Sequence, residues 1–307
     1  SREPEEEFLK GVEGERRERL KNDFQRCKEV AAIPSKELTG GRGFKEGLQF
    51  SSRMYVVRLQ TGGLLLYSPV KCGKELIDFI GTIKGLGEVE IILSPSAAHH
   101  IFVKSAVEAY PNACLVTGDI AGVKLGKAGV HAHINYNEPK GRLMTETLLR
   151  DSCIVRVCEG DPNQECVLFH IASGTALCCD LIYGKNDKER GTVRSDGAPK
   201  TQWDLSAEKD PSKWFGRVFR RMWIERSPNG TLPIYRYWLL DAQKFMPLMT
   251  ARPDQWTAER FKADIEEVIR VGEEMKIKRL VSCHLDEPLS WAHAVNMMKA
   301  NWDFLFA

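Results

Sequence analysis

The sequence predicts a layered α/β fold, an α+β sandwich with helices between and outside two groups of strands. Two observations carry that reading. Short apolar runs bounded by Gly, Pro and polar residues recur between residues 52 and 118 and again between 153 and 184, with a late one at 279–284. Apolar residues at helical spacing occupy much of the chain between and after those runs.

Taken in order, residues 1 to about 30 are dense in charge of both signs. Phe8, Leu9, Val12, Leu20, Phe24 and Cys27 recur there at roughly helical spacing, which predicts a charged helical extension with a narrow apolar stripe. "SKELTGGRGFKEG" (Ser35 to Gly47) reads as a connector, so residues 1–50 form an extension and linker and 51–307 the main domain. "RMYVVRL" and "GLLLYS" are two strands joined at Thr61-Gly62-Gly63. Residues 72–85 are a helix, "EVEIILS" (88–94) a strand, 98–110 a helix ending at Pro111, and "ACLVTG" (113–118) a strand. The stretch 119–150 reads as an irregular insertion. "CIVRVCEG" (153–160) is a strand, and "ECVLFHI" and "TALCCDLIYG" form a hairpin around Ala172-Ser173-Gly174. A polar loop over 185–211 precedes helices at 212–225, 235–248 and 257–276, the strand "RLVSCH" (279–284) and a closing helix at 289–305.

Composition narrows the function classes. With 307 residues there is room for one large domain or two smaller ones, and a net charge of +2 gives no global preference for nucleic acid or membrane. No apolar stretch is long enough to span a bilayer. The nine cysteines (27, 72, 114, 153, 158, 166, 178, 179, 283) show no CxxC spacing and lie mostly in apolar, strand-like text, which points to an intracellular, reducing compartment. The sequence starts at Ser1, so a mitochondrial or plastid location after presequence removal is an expectation, alongside a tag scar or an absent start.

Three places share one pattern, an apolar strand ending in a metal-capable side chain. "EIILSPSAAHH" ends in His99 and His100, "ALCCDLIYG" carries Asp180, and "RLVSCHLDEP" carries His284. Imidazole and carboxylate together suit Zn²⁺ or Fe²⁺, and the ends of strands on a rigid sheet aim such ligands at one point.

In that order and setting the chain resembles the metallo-β-lactamase superfamily, and more narrowly the uncharacterised family called domain of unknown function 4336. The resemblance rests on "MYVVRLQTGGLLLYSPV", "ILSPSAAHHIFVKSAVEAYPNACL", "VLFHIASGTALCCDLIYG" and "VSCHLDEPL", and spans residues 52–307. It implies an αββα four-layer fold with an N-terminal helical extension. The superfamily carries a His-x-His-x-Asp-His motif. If His100 takes its last place, Pro95 and Ala97 stand where two histidines belong, and His99 stands where the Asp would be. A further superfamily histidine expected near "EGDPNQ" (Glu159 to Gln164) is absent as well. What remains, His99, His100, Asp180 and His284, corresponds to the second of two metal sites and implies one Zn or Fe ion, or none. Asp180 is then a ligand or the catalytic base. His170 is expected to orient Asp180 across the hairpin, and Asp286 to support His284.

Other histidines and basic patches have ordinary readings. His131 and His133 share a His-x-His spacing but fall in the insertion, and His293 sits mid-helix. In "KWFGRVFRRMWIER" (Lys213 to Arg226) the aromatic and arginine residues separate onto opposite helix faces, as in a helix with one buried side, so nucleic-acid binding is not expected. Two functional readings follow. One is a mononuclear metal-dependent hydrolase of unknown substrate with an eroded site. The other is a catalytically inactive interaction or assembly subunit, with a protein partner docked through the N-terminal helix and the segments 119–150 and 185–211.

Overall fold

The computed structural model describes residues 30–35, 52–82, 87–161, 163–182, 257–285 and 288–302. The expected N-terminal helix, most of the connector, the loop at 185–211, the helices at 212–225 and 235–248 with the arginine-rich segment, and Asp286 lie outside the described residues. The chain divides into two compact units, one built on Arg53–Arg156 with Leu168–Gly174 and the other on Val157–Val167 and the chain from Thr175 onward.

The first sheet has six strands in sequence order, β1-β2-β3-β4-β5-β6. β1 (Val30–Ser35) occupies the edge, a strand in a segment the sequence pattern left between helix and connector. β2 (Ser52–Arg58) and β3 (Leu64–Tyr67) form the expected hairpin, with Tyr55 opposite Tyr67 and their rings 6.5 Å apart. Gly62 holds φ +90° in the turn, a conformation only glycine adopts without strain. From β3 onward the sheet is parallel. α1 (Lys74–Thr82) leads to β4 (Val89–Leu93), α2 (Val103–Ala109) to β5 (Cys114–Thr117), and α3 (Asp119–Gly126) to β6 (Ile134–Asn135). Parallel neighbours need a crossover, and each helix supplies one. β3 is buried at every position, the burial expected of a parallel sheet covered on both faces. Leu64, Leu66 and Ile92 share one core cluster with Val103 and Ala106 of α2.

Two corrections concern this unit. The helix expected from residue 98 begins at Val103, because Ala98–Phe102 form turns and Val103 N–H bonds back to the His100 carbonyl at 3.1 Å. The stretch 119–150 is a helix, a strand and a second helix, α4 (Pro139–Leu149). α4 starts with proline at its first position, a favoured place. Its buried residues are Gly141, Thr145 and Leu149. A Cβ at position 141 would lie 1.9 Å from the Asn135 carbonyl oxygen, so glycine permits the helix to press against β6. The apolar Leu143, Met144 and Leu148 are exposed, and Gly141 and Thr145 share the packed face with Leu149.

The second sheet runs β11-β10-β9-β8-β7. It comprises β7 (Cys153–Val157), β8 (Cys166–His170), β9 (Thr175–Cys178), β10 (Arg279–Ser282) and β11 (Leu289–Ser290). β8 and β9 are neighbours joined by a few residues, a link that only antiparallel strands allow. β9 and β10 are parallel, in the register Leu177↔Val281 and Cys178↔Ser282. Between them in the chain lies α5 (Ala258–Glu274), whose Phe261, Ile265, Val268, Ile269 and Gly272 form one buried face. The Thr257 hydroxyl caps it by accepting from Arg260 N–H at 3.1 Å. α6 (Trp291–Asn301) closes the unit, and Trp302 packs edge-on against Phe261 with ring centroids 4.7 Å apart.

Candidate metal centre

In the first unit the histidine pair sits in the turn between β4 and α2, and the turn ties itself together. The Ser94 hydroxyl donates to the His99 carbonyl at 3.1 Å, and His99 N–H donates to the Ser96 carbonyl at 3.2 Å. The His99 Nδ1 lies 2.7 Å from Ser68 Oγ. Ser68, just after β3, holds φ +57°, which is rare for a residue with a side chain, and is completely buried. The His100 Nδ1 lies 2.9 Å from the Ala97 carbonyl. A carbonyl only accepts, so Nδ1 carries the proton and Nε2 keeps its lone pair. Burial and the Lys124 ammonium, which also donates to the Ala97 carbonyl, push His100 down to about 4 and hold it neutral at physiological pH. Ala97 stands at a position where the resemblance leads one to expect a histidine, and its carbonyl fixes the tautomer of His100.

In the second unit the parallel register does the positioning. Cys178 faces Ser282, and two residues further on Asp180 stands beside His284. His284 Nε2 lies 3.1 Å from Asp180 Oδ1, and both residues are about 5% exposed or less. The carboxylate accepts, so the imidazole donates from Nε2. The Ser282 hydroxyl donates to the carbonyls of Cys179 and Ile182, both at 2.8 Å, and accepts from His284 N–H at 3.1 Å. Cys179 and Cys283 form a second buried pair, Sγ to Sγ 3.0 Å. Imidazole, carboxylate and thiol donors are therefore gathered at two neighbouring strand ends.

The antiparallel hairpin brings a residue to Asp180 that the sequence pattern did not single out. The start of β8 lies beside the end of β9, so Glu165 supports Asp180. The Glu165 carboxylate accepts from the backbone N–H of Cys179 and, at 3.0 Å, of Asp180. His170 lies at the turn end of β8, with Nδ1 2.8 Å from Ser173 Oγ and Nε2 3.2 Å from the Arg58 carbonyl. The available signal for Glu165 was a charged residue opening an otherwise apolar strand. One layer further out, the Asp161 carboxylate accepts from Asn163 N–H at 3.0 Å and Glu165 N–H at 3.2 Å. Burial, above all, raises both acids, helped by the negative charge of Asp180; Asp161 rises to about 7 and Glu165 well above the usual range. This loop fills the place where a further histidine was expected. His133 accepts from Leu115 N–H at 2.8 Å and serves β5, so the His131–His133 spacing marks a strand edge.

Over 90% of this chain and 94% of the other, the structure superimposes on DIM-1 metallo-β-lactamase with a TM-score of 0.51 at 9% identity. The chain has the metallo-β-lactamase fold. It is also similar to TMB-1 (TM-score 0.48, 11% identity, 89% of this chain and 94% of that one) and to a metallo-β-lactamase from Pontibacter korlensis (0.47, 10%, 88% and 95%). Residues 46–119 match the domain of unknown function DUF4336, the family anticipated from the sequence. That match holds the β2–β3 hairpin and the histidine turn; the quoted segments around Asp180 and His284 fall beyond it. No functionally curated protein matches the sequence. At these identities the metallo-β-lactamase likeness speaks for fold alone.

Proposed function

We propose that this chain is a mononuclear metal-dependent hydrolase on the metallo-β-lactamase fold, with Asp180 and His284 in its ligand set. One observation carries the reading: a buried imidazole–carboxylate pair held at adjacent strand ends. That donor set fits Zn²⁺ or Fe²⁺. Support around it is of the kind metal ligands have. Glu165 holds the backbone that carries Asp180. With Pro95 and Ala97 in place of two histidines, the set serves one ion. Such an ion supplies Lewis-acid activation of water for attack on an ester, thioester, amide or phosphoester. Asp180 would be a ligand of that ion or the base that orients the water, and His284 Nε2–H donates to its carboxylate. Eight free cysteines among the described residues support a reducing compartment.

Elemental analysis of the full chain purified without chelator tests this. Close to one equivalent of zinc or iron is expected in the wild type, with loss in both Asp180→Ala and His284→Ala. A metal-free wild type that also fails to take up added zinc or ferrous iron overturns it.

An inactive assembly subunit is the second reading, and one observation favours it. The insertion predicted to add contact surface carries Leu143, Met144 and Leu148 exposed along α4, at 64%, 44% and 45%. Light scattering on the full chain, on a chain without residues 1–45 and on Leu143→Asp/Leu148→Asp tests it. An association lost in the variants supports the reading; monomers throughout remove it.

A further inference from the structure

One register step before Asp180 and His284, the same strand ends carry two thiols. Cys179 and Cys283 are at most 1% exposed and their sulfur atoms are 3.0 Å apart. The backbone around them already has the geometry a cross-link demands. Cys283 N–H donates to the Cys178 carbonyl at 3.1 Å, and the Ser282 hydroxyl ties the Cys179 carbonyl to β10. Neighbouring strands lie about 4.8 Å apart, inside the roughly 4.4–6.8 Å window of Cα separations that disulfides occupy. The sulfur atoms, 3.0 Å apart, have only about 1 Å to close to reach the S–S bond length of about 2.05 Å.

We infer that Cys179 and Cys283 form a reversible disulfide joining the ends of β9 and β10. The inference rests on this strand pair alone and does not depend on a bound metal. With hydrogen peroxide as oxidant the step balances. One sulfur, its proton removed, attacks a peroxide oxygen; the O–O bond breaks, leaving a sulfenic acid and one water. The other sulfur then attacks the sulfenic sulfur, forming the S–S bond and releasing a second water. The two thiols lose two electrons and two protons, and the peroxide takes both. Both thiols are buried, so the reaction waits on local opening of the strand ends and is slow beside that of an exposed thiol. Cys178 is the competitor for Cys283, but its side chain is engaged by Ser282.

The test uses the full chain, treated with hydrogen peroxide or with dithiothreitol, unfolded, alkylated and digested for mass spectrometry. After peroxide, the Cys179 and Cys283 peptides are expected as one linked species, two hydrogens short of their sum and unalkylated, and dithiothreitol is expected to restore both. Because the link closes a loop of 104 residues, the oxidised protein is also expected to unfold at higher urea. Cys178→Ala keeps the linked species and Cys179→Ala abolishes it. Peroxide-treated wild type in which both cysteines remain alkylatable, or in which Cys283 is linked to Cys178, overturns the inference, and this readout needs no variant to fold.

Discussion

The two units solve the same problem, holding metal-capable side chains at strand ends, by different means. After β4 the histidines are fixed by a turn whose bonds are local: His100 to Ala97, three residues away, and Ser94 to the His99 carbonyl, five away. After β9 and β10 the pairs are fixed by strand register across more than a hundred residues of chain. In the first case neutral groups, a hydroxyl and a carbonyl, meet the imidazoles; in the second a carboxylate meets one in full burial. The difference teaches where substitutions hurt. A local turn loses one contact at a time, whereas the register-held pair leaves a buried group without its partner.

The largest expected effect comes from breaking the register-held pair. His284→Ala leaves the Asp180 carboxylate buried without its imidazole and is expected to cost about 3–5 kcal/mol by urea unfolding. An effect below that of His100→Ala would abolish the contrast between the units. Next is the pH dependence of the second unit. Asp161 is raised from 3.8 to about 7, so the folded state holds a proton that the unfolded chain releases near pH 4. Its contribution is fully present below about pH 4 and is lost as pH rises towards 7, amounting to up to about 4 kcal/mol. His100, lowered from 6.5 to about 4, acts in the opposite sense: its contribution is present above pH 6.5 and lost as pH falls towards 4. Urea midpoints between pH 4 and 7.5 should therefore respond in opposite directions to Asp161→Asn and His100→Gln, and parallel responses would show that one of these environments is misassigned. Smaller again, Ser68→Ala removes the hydroxyl facing His99 and is expected to cost about 1 kcal/mol. Nitrogen NMR of the His99 ring separates this from a packing loss, since only loss of that hydrogen bond moves the Nδ1 signal. The smallest effect is Thr257→Ala, which uncaps α5 for about 1 kcal/mol or less and leaves both sites untouched.

Much of this was legible in the sequence, for physical reasons. β3, β8 and β9 are buried at every position and mostly apolar, β4 is so except at the exposed Glu90, and the polar residues that follow them announce the strand ends. His284 and Asp180 were legible for the same cause. The segment 119–150 was not, because its packing uses Gly141 and Thr145 where a periodic pattern looks for leucine, while Leu143 and Leu148 face out. Glu165 was missed because its role depends on the direction of a hairpin, which places residue 165 beside Asp180.

The parallel pairing of β9 with β10 also bears on how the molecule comes to exist. The contact between Asp180 and His284 spans 104 residues, and closing a loop of that length costs roughly 4 kcal/mol of chain entropy before any compensation arrives. The β2–β3 hairpin and the turn around His99 face no such barrier. The histidine turn is therefore expected to form early in folding and the carboxylate–imidazole pair late, an order that pulse-labelled hydrogen exchange of the two segments would check.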